Sequence, residues 1–559
     1  MNRRDALAEI NSTLKNIGFS EKSAIIPQFE GTIKVHGKPI DIQISIPDTG
    51  FSELPIVKIK DRSQLDPEIV GHLVDQGTKE SGICYSSEVG LPLDIYQPGG
   101  SILRVLEQAR EALEVNYKGR GAAEVAAEYQ EYWRDGLMSF RIFADRSGFD
   151  APPQKLGYFA FKNDSGALFF ALRDSSKLHG YKSTKLADGL LLHSAKSLVP
   201  VGKMKIPMTL EQLEVWFKGQ SGLSVRDYRI AFATLSSRGF VAISAPNCVL
   251  GIQLQFPADL KVGLSSGKIR SAKMPTIIED KKSTIALKRY GGFWCDLGTL
   301  AERNLVGMDT LAQKKIALVG CGTLGSHLAK FLVQSGAGAT APLLLFDRQS
   351  LSAGNVGRHY LGTEYIGSPK ASALSDELKR FHPDAKLMAF VGNVFDEWDR
   401  VKACDIIIDA TGDWNTQNAI NDRLLSDEDA QAESVLYSWI CDNGAAVQSF
   451  LSLPGDDYCF RCLRPDPSKP WRYTAVNPKY EATVHEATCG DGAYYPYSVA
   501  APAIGAGLST EMIIGWVNGK PGPRLKTIIV NHERGIDRKP MTPTASKDCP
   551  ACAARRTND

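Results

Sequence analysis

The segment KKIALVGCGTLGSHLAKFLVQSGAG, residues 314–338, decides the fold of the second half of this chain. Its apolar run at 316–319 predicts a buried parallel strand. Gly320, Gly322 and Gly325 then form a G-x-G-x-x-G turn that leads into a helix. Such glycines let the backbone approach a phosphate, and the free N–H groups at the helix N-terminus bind it. The segment therefore predicts a doubly wound α/β domain that binds a nucleotide.

The strand after this helix ends in an acidic residue. The apolar run at 342–346 is followed by Asp347, 22 residues beyond Gly325, where a carboxylate binds a ribose hydroxyl in this type of fold. The turn and the carboxylate together indicate a nucleotide site, but they do not distinguish NAD from ATP.

Five polar residues further along bear on the identity of the nucleotide. Two of them have basic side chains, and two are carboxylates that follow a strand. All five are expected at the carboxyl ends of the strands, where ligands bind in doubly wound sheets. The P-loop motif G-x-x-x-x-G-K is absent. Cations beside the phosphates together with an extra carboxylate suit ATP with Mg²⁺ better than NAD. The residues are Asn355, Arg358, Lys370, Asp409 and Asp413.

Length and composition set the remaining bounds. The 559 residues are enough for about three domains. A formal net charge of +2 gives no reason to expect bulk nucleic-acid binding. No apolar run approaches membrane length and the N-terminus has no signal-peptide core, so we expect a cytoplasmic protein whose 11 cysteines are reduced.

The N-terminal region, residues 1–118, is predicted to be a small α+β domain. A helix at its start, an antiparallel meander with a turn at His36–Gly37 and a helix from Ser101 to Val115 enclose a long loop that carries Cys84. Cys84 is the first cysteine of the chain, and its polar, glycine-containing flanks favour an exposed loop. From these features a reactive thiol and a small residue filling a core gap both stay open.

The middle region, residues 119–285, is predicted to be an α+β linker domain. It mixes short strand-like runs with a helix-like segment and contains no metal-ligand spacing. The remainder, 286–559, forms the nucleotide-binding α/β domain.

Two C-x-x-C pairs lie 87 residues apart in that last domain. In a reducing compartment such pairs are typical of a tetrahedral Cys₄ zinc site that is structural, because no position is left for water. The alternative is two unrelated turns. A further cysteine, Cys489, lies between the pairs on a polar loop and is either a loop residue or a nucleophile. The four ligand candidates are Cys459, Cys462, Cys549 and Cys552.

Residues 295–552 resemble the ubiquitin-activating and MoeB/ThiF adenylyltransferase family in the order and spacing of these motifs. The resemblance implies ATP, Mg²⁺, a structural zinc and a homodimer. One departure is that the family's D-x-T-D becomes Asp409-Ala-Thr-Gly-Asp413, which leaves open which carboxylate faces the metal. The implied roles are Arg303 reaching ATP, often in a neighbouring protomer; Gly320, Gly322 and Gly325 as the nucleotide loop; Asp347 for ribose; Asn355 and Arg358 as the N-x-x-R element; Lys370 for phosphate; Asp413 near magnesium; the cysteine pairs for zinc; and Cys489 for a thioester.

The N-terminal domain resembles a divergent bacterial ubiquitin-conjugating fold with Cys84 as its nucleophile, although the usual His-Pro-Asn motif is not visible. The whole order of domains resembles the fused activating–conjugating enzymes of CBASS anti-phage operons. That resemblance implies that the C-terminus of a CD-NTase, a cGAS-like nucleotidyltransferase, is activated and joined to a lysine of a target protein. The alternatives are a sulfur-carrier adenylyltransferase and a non-catalytic nucleotide-binding scaffold.

Overall fold

The computed structural model describes residues 3–553 except for eleven short segments. Within the described part the chain forms three successive regions, each around its own hydrophobic core. The segments outside the description are 23–24, 66–70, 75–79, 86–89, 116–124, 145–150, 164–165, 174–182, 202–205, 267–269 and 487–492. The predicted boundary at residue 118 lies in one of them.

The first region is an antiparallel sheet covered by two helices. The hairpin turn falls at His36 and Gly37, whose φ values of 49° and 78° give the left-handed conformation that a two-residue hairpin needs. Alternate β-branched residues of the sheet face the helices and close the core. The elements are α1 Arg3–Asn16, β1 Ser20–Lys22, β2 Gln28–Val35, β3 Lys38–Ser45, β4 Ile56–Ile59, β5 Leu73–Val74, β6 Ser81–Ile83 and α2 Pro98–Val115, with the sheet order β1-β2-β3-β4-β6-β5.

The second region is a closed barrel with the strand order β10-β11-β12-β13-β7-β9-β8. Aromatic rings fill its interior, and Tyr158 stacks on Phe240 with ring centroids 4.0 Å apart. The last strand extends to Trp294, so the barrel continues beyond the predicted limit at residue 285. The elements are α3 Tyr129–Trp133, β7 Ser139–Phe143, β8 Gln154–Asn163, β9 Gly166–Leu172, β10 Ser183–His193, α4 Leu210–Gly219, α5 Val225–Ser236, β11 Phe240–Ser244, β12 Val249–Gln255, α6 Ala258–Ser265, α7 Met274–Asp280 and β13 Ala286–Trp294.

The third region is the predicted doubly wound domain. Its seven-stranded sheet has the order β16-β15-β14-β17-β18-β19-β22, in which the first five strands are parallel. The direction of winding reverses between β14 and β17, and that switch point is where such sheets bind ligands. The elements are α8 Leu297–Asn304, β14 Ile316–Val319, α9 Thr323–Gln334, β15 Leu343–Asp347, α10 Ala353–Val356, α11 Lys370–Phe381, β16 Leu387–Val391, α12 Trp398–Lys402, β17 Ile406–Asp409, α13 Trp414–Ser426, β18 Ser434–Cys441, β19 Ala446–Ser452, β20 His485–Glu486, β21 Ala493–Tyr494, α14 Ala500–Val517 and β22 Leu525–Ile529.

Helix α14 is the one helix of the described residues that is long and apolar enough to cross a membrane, with a mean hydropathy of 1.2 over 18 residues. It packs against α9, β18 and β19 and contributes Ala506, Met512 and Ile513 to the core. Its apolar composition is therefore explained by its place inside the α/β domain.

Candidate active site

The glycine turn lies at the switch point, and each of its glycines has a different reason to be there. Gly320 has a φ of 88°, and a side chain on Gly325 would put its Cβ 1.8 Å from the Gly320 carbonyl oxygen. Gly322 is different, because a Cβ there meets no protein atom within 4 Å. It lines the cleft and precedes α9 without a side-chain cap. The cleft therefore presents bare backbone and the free N–H groups of a helix end, which suit a phosphate.

Asp347 is the last residue of β15 and lies beside this turn. One carboxylate oxygen accepts a hydrogen bond from the Cys321 amide at 2.7 Å, and the other accepts one from the Gln349 amide at 2.7 Å. Each oxygen keeps a lone pair for a further donor. A fixed, half-buried carboxylate beside the glycine turn is the expected partner of two ribose hydroxyls.

A buried histidine, which no sequence motif indicates, bonds to the backbone of the glycine turn. The Leu361 amide donates to Nδ1 of His359 at 3.1 Å, so the ring proton lies on Nε2, which bonds the Cys321 carbonyl at 2.8 Å. Burial lowers the pKa of His359 to about 4. His359 is therefore neutral at physiological pH and holds the glycine turn in place.

Lys370 lies in the cleft at the start of α11. Its side chain is 5% exposed, and its ammonium donates to the Gln349 side chain at 2.8 Å. Asn355 lines the same cleft at the end of the capping box that begins α10. Both predicted residues therefore lie beside the glycine turn.

Arg358 has a different environment from the one predicted. Its guanidinium stacks on Tyr494 and Tyr497, at 5.3 and 5.0 Å from the two ring centroids. Its Nε is buried and donates to no described residue. Arg303 is exposed on α8 and does not line the cleft of its own chain.

The two aspartates that the sequence left undecided differ sharply in burial. Asp409 is fully buried at the end of β17, and one of its oxygens accepts bonds from the Thr411 amide and hydroxyl at 2.9 and 2.6 Å. Its other oxygen has no partner among the described residues, and burial raises the pKa of Asp409 to about 7. Asp413 is exposed, lines the cleft and caps α13 through Thr416. Asp413 is therefore the carboxylate that is open to a ligand.

The cleft has a volume of about 810 Å³ and continues past the glycine turn. Its far part is lined by Trp414, Trp439 and Trp471, and the last two rings stack 5.3 Å apart. The cleft therefore has a polar part at the glycine turn and an aromatic part beyond it.

One buried asparagine joins the two ends of the loop that carries Cys489. The Asn443 side chain donates to the carbonyls of Thr483 and Pro496, at 2.8 and 3.2 Å, and accepts from the Thr483 amide. Both legs of the loop therefore start from fixed points beside the cleft. Cys489 itself lies outside the described residues.

The two cysteine pairs come together as predicted. The four sulfurs lie within 4.8 Å of one another and all four side chains are buried. Cys459 and Cys549 have sulfurs 3.7 Å apart, and those of Cys462 and Cys552 are 3.4 Å apart. Sulfurs of a tetrahedral site with Zn–S bonds of about 2.3 Å lie about 3.8 Å apart, whereas a disulfide measures about 2.05 Å. The geometry fits one tetrahedral metal ion.

Cys84 lies in the first region, just after β6, and is exposed. Its amide donates to the His72 carbonyl at 2.9 Å. Partial desolvation, and after it the charge of Glu128, raise the pKa of the Cys84 thiol. The thiol is therefore accessible but is not activated by any cation among the described residues.

Residues 297–551 match the model of the ThiF family, and residues 5–141 match that of prokaryotic E2 family B. The chain thus joins a ThiF-type adenylyltransferase domain to an E2-like domain, and it is an enzyme of the ATP-dependent adenylyltransferase class.

Three curated proteins show what the chain is similar to. The "ATP-dependent ubiquitin transferase-like protein Cap2" of Pseudomonas aeruginosa is 27% identical over 99% of this chain and 100% of its own length. The protein of the same name from Escherichia coli is 29% identical over 54% of this chain and 52% of its own length. The E. coli "Sulfur carrier protein ThiS adenylyltransferase" is 28% identical over 30% of this chain and 65% of its own length.

Proposed function

We propose that this chain activates the C-terminal carboxylate of a protein and passes the acyl group over two cysteines to an amine. The carrying observation is that a nucleotide cleft at the switch point shares one chain with an E2-like sheet that exposes Cys84. A cleft alone supports adenylation, whereas an E2-like partner has a use only if an acyl group is handed on.

The first step makes a poor electrophile reactive. A carboxylate oxygen attacks the α-phosphorus of ATP, pyrophosphate leaves, and an acyl-adenylate forms. The helix α9 amides and Lys370 offset negative charge on the phosphates, and Asp347 binds the ribose. Arg358 joins them when it leaves its tyrosine stack, and Arg303 does so from a second protomer of a homodimer.

Mg²⁺ would be held by Asp413, since this carboxylate is exposed to the cleft while Asp409 is sealed behind it. A bound Mg²⁺ supplies charge neutralisation at the phosphates. Zinc would be held by Cys459, Cys462, Cys549 and Cys552, and its contribution is to fold stability.

The following steps exchange one acyl bond for another. The Cys489 thiolate attacks the acyl-adenylate, AMP leaves, and a thioester forms. The Cys84 thiol then takes the acyl group by thioester exchange, returning the Cys489 thiol. A lysine amine of the target attacks last, so that an amide forms and Cys84 is released.

For the substrate we propose the C-terminus of a CD-NTase, joined to a target lysine in the cytoplasm as part of CBASS anti-phage defence. The support is the resemblance to fused activating–conjugating enzymes together with the full-length similarity to a ubiquitin transferase-like protein.

The test follows the acyl group from site to site with purified full-length enzyme, ATP and a CD-NTase protein. Cys489→Ala is expected to retain ATP–pyrophosphate exchange but to form no thioester. Cys84→Ala is expected to stop one step later, with the acyl group held on Cys489 and visible by intact mass. Full conjugation by the Cys84→Ala variant would overturn the two-cysteine route.

A second candidate is a sulfur-carrier adenylyltransferase, which the similarity to the ThiS adenylyltransferase favours. It would use the same cleft and would end in a thiocarboxylate rather than an amide. Mass spectrometry of the product distinguishes the two, and a thiocarboxylate would leave the E2-like domain unused.

A further inference from the structure

The thiol of Cys84 does not stand alone on its sheet, because a helix of the barrel region reaches it. The Tyr132 hydroxyl of α3 accepts a hydrogen bond from the His72 amide at 2.8 Å. The His72 carbonyl accepts from the Cys84 amide at 2.9 Å. One residue, His72, therefore connects the backbone of Cys84 to α3.

His72, which makes both of these hydrogen bonds, has an unusual backbone conformation. Its φ of 62° lies in the left-handed region, which is uncommon for a residue other than glycine. Bonds from both sides of His72 hold that conformation, one to Tyr132 and one from Cys84. Strained backbone of this kind is found at active sites more often than elsewhere.

The same tyrosine fixes a carboxylate. The Tyr132 hydroxyl donates its proton to Oε2 of Glu128 at 2.8 Å. Glu128 is half-buried, and it is linked to the Cys84 amide through the Tyr132 hydroxyl and His72. Its charge is the second cause of the raised pKa of the Cys84 thiol. Among the described residues no other side chain bonds to this carboxylate and no cation neutralises it.

The next acidic residue along the chain, which lies on α3, has a different environment from Glu128. Glu131 is exposed and forms an ion pair with Arg134. A pair of that kind is common on helix surfaces and needs no function. Of the two, Glu128 is the carboxylate without a charged partner among the described residues.

We propose that Glu128 is a catalytic residue of the conjugating step, where it binds the ammonium of the incoming lysine beside Cys84 and takes its proton. Tyr132 is the positioning residue that aims the carboxylate. This inference rests on the proposed acyl transfer to Cys84, and it completes that site with a group from outside the E2-like sheet.

The lysine arrives as an ammonium, and the Glu128 carboxylate attracts it. One ammonium proton passes to Glu128 and from there to solvent, which leaves a neutral amine. As its nitrogen attacks the thioester carbon, a second N–H proton passes to Glu128, the C–N bond forms, and the C–S bond breaks. The Cys84 sulfur leaves as a thiolate, and it takes up the proton that Glu128 holds. Hydroxylamine is already neutral at neutral pH and does not need the first proton transfer, which gives the proposal a specific signature.

The E2 family match includes this helix. It runs from residue 5 to residue 141 and so covers Glu128 and Tyr132 as well as Cys84. The helix also packs Tyr129 and Trp133 into the core of the second region, and Tyr132 links it to the first region through the His72 amide.

The test loads Cys84 without ATP. The full-length chain with Cys489→Ser is treated with the mercaptoethanesulfonate thioester of acetyl-glycylglycine, and intact mass with peptide mapping reports the acyl group on Cys84. Discharge is then timed with Nα-acetyl-lysine and, separately, with hydroxylamine. The variants are Glu128→Gln, which retains an acceptor for the Tyr132 hydroxyl, Tyr132→Phe, and Glu131→Gln as the matched control.

We expect Glu128→Gln to slow discharge by Nα-acetyl-lysine at least tenfold and to change discharge by hydroxylamine less than twofold. Tyr132→Phe should show a smaller loss of the same kind, and Glu131→Gln should match the parent. Equal rates in Glu128→Gln and the parent, or equal slowing with both nucleophiles, would overturn the catalytic role. If no variant takes the acyl group on Cys84, the proposed conjugating step itself fails, and the role of Glu128 fails with it.

Discussion

The nucleotide cleft differs in construction from the site around Cys84. We call the latter, formed by Cys84, His72, Tyr132 and Glu128, the Cys84 centre. In the cleft the glycine turn and the strand-end carboxylates are held by one continuous sheet with a fully buried core. The Cys84 centre is assembled from the end of the short strand β6 and a helix of the next region, joined through His72. The parts of the first site belong to one fold, while the second site depends on a hydrogen-bonded contact between two regions. Adenylation should therefore tolerate little change in backbone, and conjugation should respond to changes in charge.

The largest effect is expected inside the glycine turn, and two alanine substitutions separate folding from binding. Gly325→Ala puts a Cβ against the Gly320 carbonyl, so the helix must move. We expect a loss of about 3 kcal/mol in unfolding free energy and loss of pyrophosphate exchange. Gly322→Ala meets no protein atom and should melt like the parent. Because the cleft lies on that side, Gly322→Ala should still weaken ATP binding. An unchanged KM for ATP would contradict the phosphate assignment of Gly322.

The next largest effect is expected at the four cysteines. Metal analysis should find about one zinc per chain, because four thiolates at these distances fill a tetrahedral site. Cys552→Ser should remove the metal and lower the melting temperature of the adenylation domain, whereas the E2-like domain should keep its own transition. Cys404→Ser is a matched control, because Cys404 is also buried but does not belong to the cluster of four cysteines. Well-folded protein without metal would remove the zinc assignment.

The positions of the glycine turn and of the carboxylate beside it could be inferred from the sequence for a physical reason. Gly320, Gly325 and Asp347 act through local backbone geometry, so their spacing in the chain fixes their spacing in the fold. Arg358 was less predictable, because its partners Tyr494 and Tyr497 come from a distant loop.

The burial of individual side chains and the contacts between regions could not be predicted from the sequence. From the strand pattern alone, either Asp409 or Asp413 could face a metal ion. The packing of the domain shows that Asp409 is fully buried, whereas Asp413 lines the cleft. Glu128 belongs to a helix in a region where no motif was visible, and its meaning depends on the approach of that helix to Cys84.

The buried Asp409 predicts a pH dependence of intermediate size. Its pKa is about 7 in the folded protein against 3.8 for the free side chain. Between those values the folded chain holds a proton that the unfolded chain has released, so stability falls as pH rises toward 7. Asp409→Asn does not titrate and keeps an acceptor for Thr411. Its stability gain over the parent should therefore grow from pH 5 to pH 8, to the order of 3 kcal/mol. Urea unfolding at the two pH values measures this, and a constant difference would contradict the shift.

The smallest effect concerns the reactivity of the free Cys84 thiol. Partial desolvation and the Glu128 charge raise its pKa, so little thiolate is present at neutral pH. In a Cys489→Ser background, Glu128→Gln should lower that pKa and speed alkylation of Cys84 by iodoacetamide about two- to threefold at pH 7.5. Glu131→Gln should leave the rate unchanged, because that charge is already paired with Arg134.

The sign of this effect is informative. The same Glu128→Gln substitution is expected to speed alkylation and to slow discharge by lysine. A local loss of structure would not produce that opposition, because it would change both reactions through access to one sulfur. An unchanged alkylation rate would mean that the carboxylate does not act on the thiol, and the Cys84 centre would then lack the charge that distinguishes it from the nucleotide cleft.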